Sequence, residues 1–168
     1  AASIHDVETA IWGQTSEDVA VNIMDGRFGM SKETGDFINL ELAKACKETT
    51  DGYGEALAKK IIAAKGPYRS VSILAACYEC DIPVTVHAAI GTDIIHQQPT
   101  MDGGATGEMS FRDFKILANS IKNLKGSGVV LNVGSAVILP EVFLKALTVA
   151  RNLGHKAQGF STANFDMI

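Results

Sequence analysis

Three side chains that can move protons or bind a metal lie close together in the middle of the sequence. His87 falls within a β-branched run, and Asp93 and His96 follow that run. A carboxylate beside an imidazole is a minimal acid/base pair near neutral pH, so we expect Asp93 and His96 to be the catalytic residues. With His5 and Asp6, the same residues form an alternative ligand set for zinc, iron or manganese. For His87 itself a buried, hydrogen-bonded role is the simpler expectation.

A second pattern suits a phosphate group. Gly134 and Ser135 end a predicted strand just before a predicted helix, as Gly91 and Thr92 end an earlier strand. Free backbone N–H groups and the helix dipole meet at such a position and favour an anion. A plain strand-to-helix connection explains Gly134 equally well, because the G-x-G-x-x-G fingerprint is absent. Both interpretations stay open.

The elements that must position these residues alternate between helix and strand. β-branched, nearly continuous apolar runs predict strands over residues 84–90, 129–133 and 158–162. Such runs between helices are typical of a parallel sheet covered on both faces, in which ligands bind at the carboxyl ends of the strands. We therefore predict a single α/β domain over residues 1–168.

Helical spacing and capping residues predict the remaining elements. Helices are expected over residues 6–12, 16–24, 31–46, 55–65, 70–79, 110–124 and 141–152. Glu17 and Asp18 supply first-turn acids to the second of these helices. The glycine-rich residues 102–108 predict a mobile loop, which either closes over a substrate or simply lies on the surface. Three strands are fewer than a typical sheet has, so neighbouring chains or a longer protein would complete it.

Composition excludes several classes of protein. The 168 residues are 46% hydrophobic and 20% charged, which is too apolar for a disordered chain. A formal net charge of −4 offers no basic surface for nucleic acid. No apolar run is long enough to span a bilayer, and no signal segment opens the chain, so we expect a cytoplasmic protein without membrane partners. Cys77 and Cys80 form a C-x-x-C pair at the predicted end of a helix, where packed thiols are expected.

Several stretches together resemble one known family. They are residues 1–6, the helix from Ser70 with the Ile-Pro-Val strand start that follows it, Ala88 to Asp93, Phe111 to Phe114, residues 129–134 and Ser161 to Asp166. In order and content they are similar to the deoxyhypusine synthase family, including its bacterial homologues. The likeness spans nearly the whole chain, and it begins after the family's N-terminal portion.

This resemblance implies a fold, a cofactor and a set of contacts. Family members are homotetramers with a Rossmann-like fold that hold NAD and an amine between paired subunits. By resemblance, His5 and Asp6 would approach the cofactor or the amine substrate. The residues that would line the NAD site are Gly91, Thr92, Asp93, Thr162, Ala163 and Asp166, beside Gly134 and Ser135.

One position departs from the family pattern. The family carries a lysine shortly after the glycine-rich turn, and this lysine forms an imine with the aminobutyl group. Leu139 stands at that position here, and a leucine cannot form an imine. The sequence therefore favours a deoxyhypusine synthase-like, NAD-binding oxidoreductase or transferase for a small amine. The alternatives are a metal-dependent hydrolase or lyase using His87, Asp93 and His96, and an inactive oligomeric scaffold.

Overall fold

A computed structural model describes residues 2–16 and 19–166 of the chain. The protein is a mixed α/β protein, predominantly helical, with a small parallel sheet. It divides into two compact units, Ala1–Arg112 and Asp113–Ile168, and each is described by itself. Ala1, Glu17 and Asp18 lie outside the described residues, so the first-turn role predicted for the two acids is not addressed.

The first unit is built from helices around one apolar core. Its 3₁₀ turns are Ile23–Asp25, Arg69–Val71 and Ile94–Gln97. Its helices are α1 Ala2–Trp12, α2 Val19–Asn22, α3 Lys32–Glu48, α4 Tyr53–Ala63, α5 Ile73–Glu79 and the first part of α6 Gly103–Ile121. The core takes its largest fully buried side chains from α1, α3 and α4, from the turn at Ile95 and from Met109 of α6.

Most predicted helices of this unit are confirmed, with shifted ends. The prediction over residues 31–46 matches α3, because Ser31 stands at its N-cap and Ile38, Leu42 and Ala45 are buried at helical spacing. The prediction over residues 70–79 begins too early. Arg69–Val71 form a 3₁₀ turn, and the Ser72 hydroxyl accepts the Ala75 N–H at 3.0 Å, so α5 starts at Ile73.

The strand predicted over residues 84–90 is wrong, since no strand is found there among the described residues. Its apolar alternation does have a cause: Val84, Val86 and Ala88 pack against the first core. The Ser110 hydroxyl accepts the Ala88 N–H at 2.9 Å and donates to the Val86 carbonyl at 3.2 Å. A side chain therefore makes the hydrogen bonds that a neighbouring strand would make.

The mobile loop predicted over residues 102–108 is also wrong, because helix α6 begins at Gly103. Asp102 caps it, with its side chain accepting the Ala105 N–H at 2.9 Å and its carbonyl accepting the Thr106 N–H at 3.0 Å. Ala105, Thr106 and Met109 are buried. Capping and burial therefore outweigh the helix-weakening effect of the glycines, about 1 kcal/mol each.

Arg112 on α6 binds backbone carbonyls at the C-terminal end of α3 and just after it. Its guanidinium donates to the Cys46, Thr49 and Asp51 carbonyls at 3.0, 2.9 and 3.2 Å, and to Glu108 at 2.9 Å. A cation at a helix C-terminus satisfies carbonyls that have no partner within the helix. This single side chain thus fixes α3 to α6.

The second unit contains the only sheet among the described residues. Strand β1 Val129–Val133 lies parallel to β2 Ser161–Phe165, and helix α7 Ile138–Asn152 connects them. The register places Val129 beside Ser161 and Val133 beside Phe165. The second core is formed by α6, α7 and the segment before β2, with Ala146, Leu147, Ala150 and Ala157 buried.

The strand prediction over residues 129–133 is confirmed, whereas the one over 158–162 is displaced by three residues. Gly159 adopts a φ of +77°, which interrupts an extended strand, and pairing with β1 begins only at Ser161. Helix α7 begins three residues earlier than predicted, so Pro140 lies in its first turn as expected. The predicted mixture of helices and a parallel sheet is thus confirmed, with two strands among the described residues where three were predicted.

Two further expectations concern membrane-spanning segments and the cysteines. None of the helices in the described parts of the chain combines the length and apolar character that crossing a membrane requires. Cys77 lies in α5 and Cys80 directly follows it, so the predicted position at a helix end is confirmed, and both are free thiols. Cys80 is exposed, however, so the packing expected for both thiols is wrong for Cys80.

A glycine-to-alanine pair tests the helical assignment of residues 103–108. A Cβ at Gly107 or at Gly126 would meet no atom within 4 Å, but Gly126 has a φ of +40° and Gly107 is helical. Gly107→Ala should therefore raise the free energy of unfolding by about 0.5–1 kcal/mol, as alanine does within helices. Gly126→Ala should lower it by about 1–2 kcal/mol through backbone strain. Urea denaturation of both variants checks this, and a neutral Gly107→Ala would contradict the helix.

Candidate functional site

Asp93 and His96 belong to one tight turn, and each side chain bonds to the backbone of that turn. Asp93 is the N-cap of the 3₁₀ turn Ile94–Gln97 and His96 is a residue within it, and the two form a reciprocal capping box in which the Asp93 carboxylate accepts the His96 N–H. The His96 Nδ1 accepts the Asp93 N–H at 3.1 Å and the Gly91 N–H at 3.0 Å. The two residues expected to form an acid/base pair are thus neighbours on one turn. Their observed bonds, however, are those of a turn-stabilising device.

The ring nitrogens of His96 are both unavailable for proton exchange in this conformation. Nδ1 accepts two backbone N–H groups and therefore carries no proton, so the neutral ring is the Nε2–H tautomer. Nε2 is buried and has no hydrogen-bond partner among the described residues. Burial lowers the pKa of His96, although the neighbouring Asp93 carboxylate acts in the opposite direction. His96 is thus held neutral.

The turn that carries this pair is anchored to α3 and to the loop before it. The Asn39 side chain donates to the Ile95 carbonyl at 3.0 Å, and Gln98 donates to the Gly29 carbonyl at 2.9 Å. Both polar side chains are buried, so these bonds determine where the turn sits. The turn borders a pocket of about 320 Å³ that Gly91, Thr92, Asp93, His96, Gln97 and Phe28 line.

The expected metal ligands do not converge. The His87 Nε2 lies 3.0 Å from the Thr85 hydroxyl, and burial lowers the pKa of His87. Among residues 2–16 and 19–166 no group of three or more His, Cys, Asp or Glu side chains is placed to hold a metal ion. His87 therefore has the hydrogen-bonded, half-buried position that the sequence favoured for it, and the alternative of a metal-dependent enzyme gains no support.

The second group of predicted residues meets at the carboxyl edge of the sheet. Gly134 follows β1 with a φ of +68°, and its N–H donates to the Phe165 carbonyl at 2.8 Å. The Ser135 hydroxyl accepts the Leu139 N–H at 3.1 Å at the start of α7. Because Val133 pairs with Phe165, Asp166 follows β2 at the same edge. Parallel strands thus bring Gly134, Ser135 and Asp166 together.

Thr162 and Ala163 lie elsewhere than expected. The strand predicted over residues 158–162 puts them at the end of that strand, but β2 runs to Phe165, so they pair with Val130 and Leu131 inside the sheet. At about 3.3 Å of rise per residue, Ala163 lies roughly 7 Å before the end of β2. The displaced strand boundary explains this correction.

His5 and Asp6 both lie on α1, but their side chains bond to different parts of the first unit. The Asp6 carboxylate accepts the Ser72 hydroxyl at 2.6 Å and the N–H groups of Ile73 and Leu74 at 2.6 and 3.3 Å. It therefore caps α5, a structural role that the sequence did not predict. The His5 Nδ1 lies 3.4 Å from Glu8, whose carboxylate is 1% exposed.

Glu8 is the residue that the sequence analysis missed. Its carboxylate is buried among the hydroxyls of Ser16 and Thr34, which both donate to Oε1, while the Ser16 N–H donates to Oε2 at 3.2 Å. A signal was present, because an acid on the apolar face of α1, three residues after His5, has to find partners inside the protein. Ser16 and Thr34 are distant in sequence, so no local pattern identifies them.

Leu139 lies in the first turn of α7 and is 46% exposed. Its backbone N–H is bonded to Ser135, and its side chain carries no amine. The structure therefore offers no imine-forming group at this position. Comparison with models of protein families, with curated proteins and with solved structures gives no match.

The protonation of His96 can be measured directly. We expect its imidazole to titrate below the ordinary value of about 6.5 and to be the Nε2–H tautomer when neutral. Since the unfolded chain binds the proton more readily, the contribution of His96 to stability is complete above about pH 6.5 and is lost as the pH falls. ¹⁵N-edited NMR titration reports both properties. An Nδ1–H tautomer would refute the two backbone bonds.

Proposed function

We propose that this chain is a deoxyhypusine synthase-like, NAD-binding protein with a Rossmann-like fold, acting in oxidoreduction of a small amine. The observation that carries the proposal is the turn at Gly134 and Ser135, where a parallel strand ends and a 15-residue helix begins. In the proposed complex the pyrophosphate of NAD lies over this turn.

Three physical properties of the turn suit a pyrophosphate. A Cβ at Gly134 would meet no atom within 4 Å, so the space above the backbone is open. Gly134 has no side chain, which allows close approach of a ligand to the backbone. The α7 dipole points its positive end at the same place, the N-cap residue Val137 makes no side-chain capping bond, and the Ser135 hydroxyl accepts the Leu139 N–H.

The chain's own residues then have limited roles in the chemistry. NAD, when bound, supplies the hydride acceptor. Gly134 and Ser135 bind the phosphates, and Asp166 lies at the same edge for contacts to the remainder of the cofactor. Leu139 replaces the family lysine, so the proposed reaction ends at oxidoreduction without covalent attachment of the amine. The bonds of Asp93 and His96 remove them from the proton-transfer roles first assigned to them.

A single added charge tests the proposed cofactor site. In Ser135→Asp the carboxylate can still accept the Leu139 N–H, and it interacts favourably with the α7 dipole, so folding is preserved. The added negative charge would repel a pyrophosphate, and we expect the affinity for NAD to fall at least about tenfold, equivalent to about 1.4 kcal/mol. Isothermal titration calorimetry with NAD measures this.

Gln158→Glu is the matched control, because it adds the same charge before β2 at the opposite end of the strands. Its affinity for NAD should equal that of the unaltered protein. The proposal fails if the unaltered protein does not bind NAD, or if both variants lose affinity equally. The second result would show a general effect of net charge.

A further inference from the structure

A second pocket, of about 370 Å³, lies in the first unit between α1 and the start of α3. Glu8, Trp12, Ser16, Ser31, Glu33 and Thr34 are among the residues that line it. Glu8 and Thr34 are 1% and 2% exposed and belong to its wall, while Trp12 and Glu33 lie nearer to solvent. None of these six residues belongs to the proposed NAD site.

The buried carboxylate determines how the hydroxyl groups of this pocket are oriented. Glu8 accepts four contacts: the Ser16 N–H and the His5 Nδ1 at Oε2, and the hydroxyls of Ser16 and Thr34 at Oε1. A carboxylate offers about four acceptor positions. Glu8 is therefore saturated, and both hydroxyl protons point at it.

The orientation extends to a third hydroxyl. The oxygens of Ser31 and Thr34 lie 3.0 Å apart, and either could donate in isolation. Thr34 has already given its only proton to Glu8 at 2.8 Å, so Ser31 must be the donor. The hydroxyl oxygens of Ser16, Ser31 and Thr34 therefore have no proton left, and any lone pair they direct into the pocket can only accept.

The charges at the pocket favour the same kind of ligand as its acceptor oxygens do, because both are negative. Glu8 and Glu33 each bring a carboxylate, and Lys32, the cation next to Glu33, is paired with Asp36. The Trp12 ring is 38% exposed and lines the same pocket. A bound group must therefore be rich in donors, positively charged and able to lie on an aromatic ring.

We propose that this pocket binds a guanidinium group. A guanidinium is planar, always protonated and carries five N–H donors and no acceptor, and it stacks on aromatic faces. An ammonium offers three donors around a point charge and cannot stack as a plane. An anion would meet the carboxylates of Glu8 and Glu33 and the acceptor oxygens of Ser16, Ser31 and Thr34. The proposal does not depend on the proposed binding of NAD.

Two probes of equal shape separate charge and donor count from size. Methylguanidinium and methylurea are both small and planar, but methylurea is neutral and carries a carbonyl acceptor. We expect methylguanidinium to bind at millimolar concentration and methylurea to bind at least tenfold more weakly, as followed by NMR shifts of the Trp12 indole N–H. Equal binding of the two, tighter binding of methylammonium, or binding of inorganic phosphate in their place would overturn the proposal.

Variants locate the site. Ser31→Ala removes one acceptor without touching Glu8, and the Ser31 side chain makes no capping bond to α3, so the fold is retained. Glu33→Gln removes a charge near the opening, and Glu48→Gln removes the same charge at the far end of the same helix. We expect Ser31→Ala and Glu33→Gln each to weaken methylguanidinium binding about threefold to tenfold, with Glu48→Gln unchanged. Equal affinity in all three variants would refute this location.

Discussion

The buried carboxylate of Glu8 ties together three parts of the first unit, namely α1, Ser16 and the first turn of α3. A carboxylate removed from water is costly unless hydrogen bonds replace its hydration. Because Glu8 lies on the apolar face of α1, its partners must come to it, and they come from Ser16 after α1 and from Thr34 on α3. The loop after α1 and the first turn of α3 are therefore fixed by one group.

Asp6 extends the same constraint to the other side of α1. Its carboxylate binds the Ser72 hydroxyl and the first N–H groups of α5, so two acids on one helix each attach a different element. Apolar residues of α1 such as Ile4 and Val7 supply the burial between these attachments. A helix that carries both apolar residues and acids thus acts as the centre of the unit. Hydrophobic contact is non-directional, so the hydrogen bonds of the two acids are what specify which element packs at each place on α1.

The sequence predicts those elements whose signals are local. The N-cap position of Ser31 and the apolar spacing after it predict α3 from neighbouring residues alone, and the structure confirms this helix. The β-branched residues 129–133 likewise predict β1, which is also confirmed. Residues 84–90 have the composition of a strand, but a strand requires a neighbouring strand as its partner. Here the Ser110 hydroxyl makes the backbone hydrogen bonds to Val86 and Ala88 instead. Residues 102–108 have the composition of a loop, but burial of Thr106 and Met109 is a tertiary effect. Composition cannot anticipate either outcome.

The candidate sites follow the same division. Gly134, Ser135 and Asp166 lie at one edge of the sheet because the carboxyl ends of parallel strands meet there, even though one strand boundary was displaced. Thr162 and Ala163 were misplaced by that same displacement. Glu8, Ser16 and Thr34 could not be grouped from sequence, since Thr34 is 26 positions from the acid to which it donates. Residues joined by long-range hydrogen bonds leave no periodic pattern to find.

Asp93 and His96 show why proximity of an acid and an imidazole is not sufficient for catalysis. A proton-transfer pair needs one ring nitrogen bound to the carboxylate and the other directed at a substrate. Here the carboxylate accepts a backbone N–H, Nδ1 accepts two more, and Nε2 is enclosed. Protonating Nδ1 would place a proton between the ring and two donors, which costs both bonds. The same residue types that would carry a reaction therefore serve here to hold a turn, and only the direction of their hydrogen bonds distinguishes the two roles.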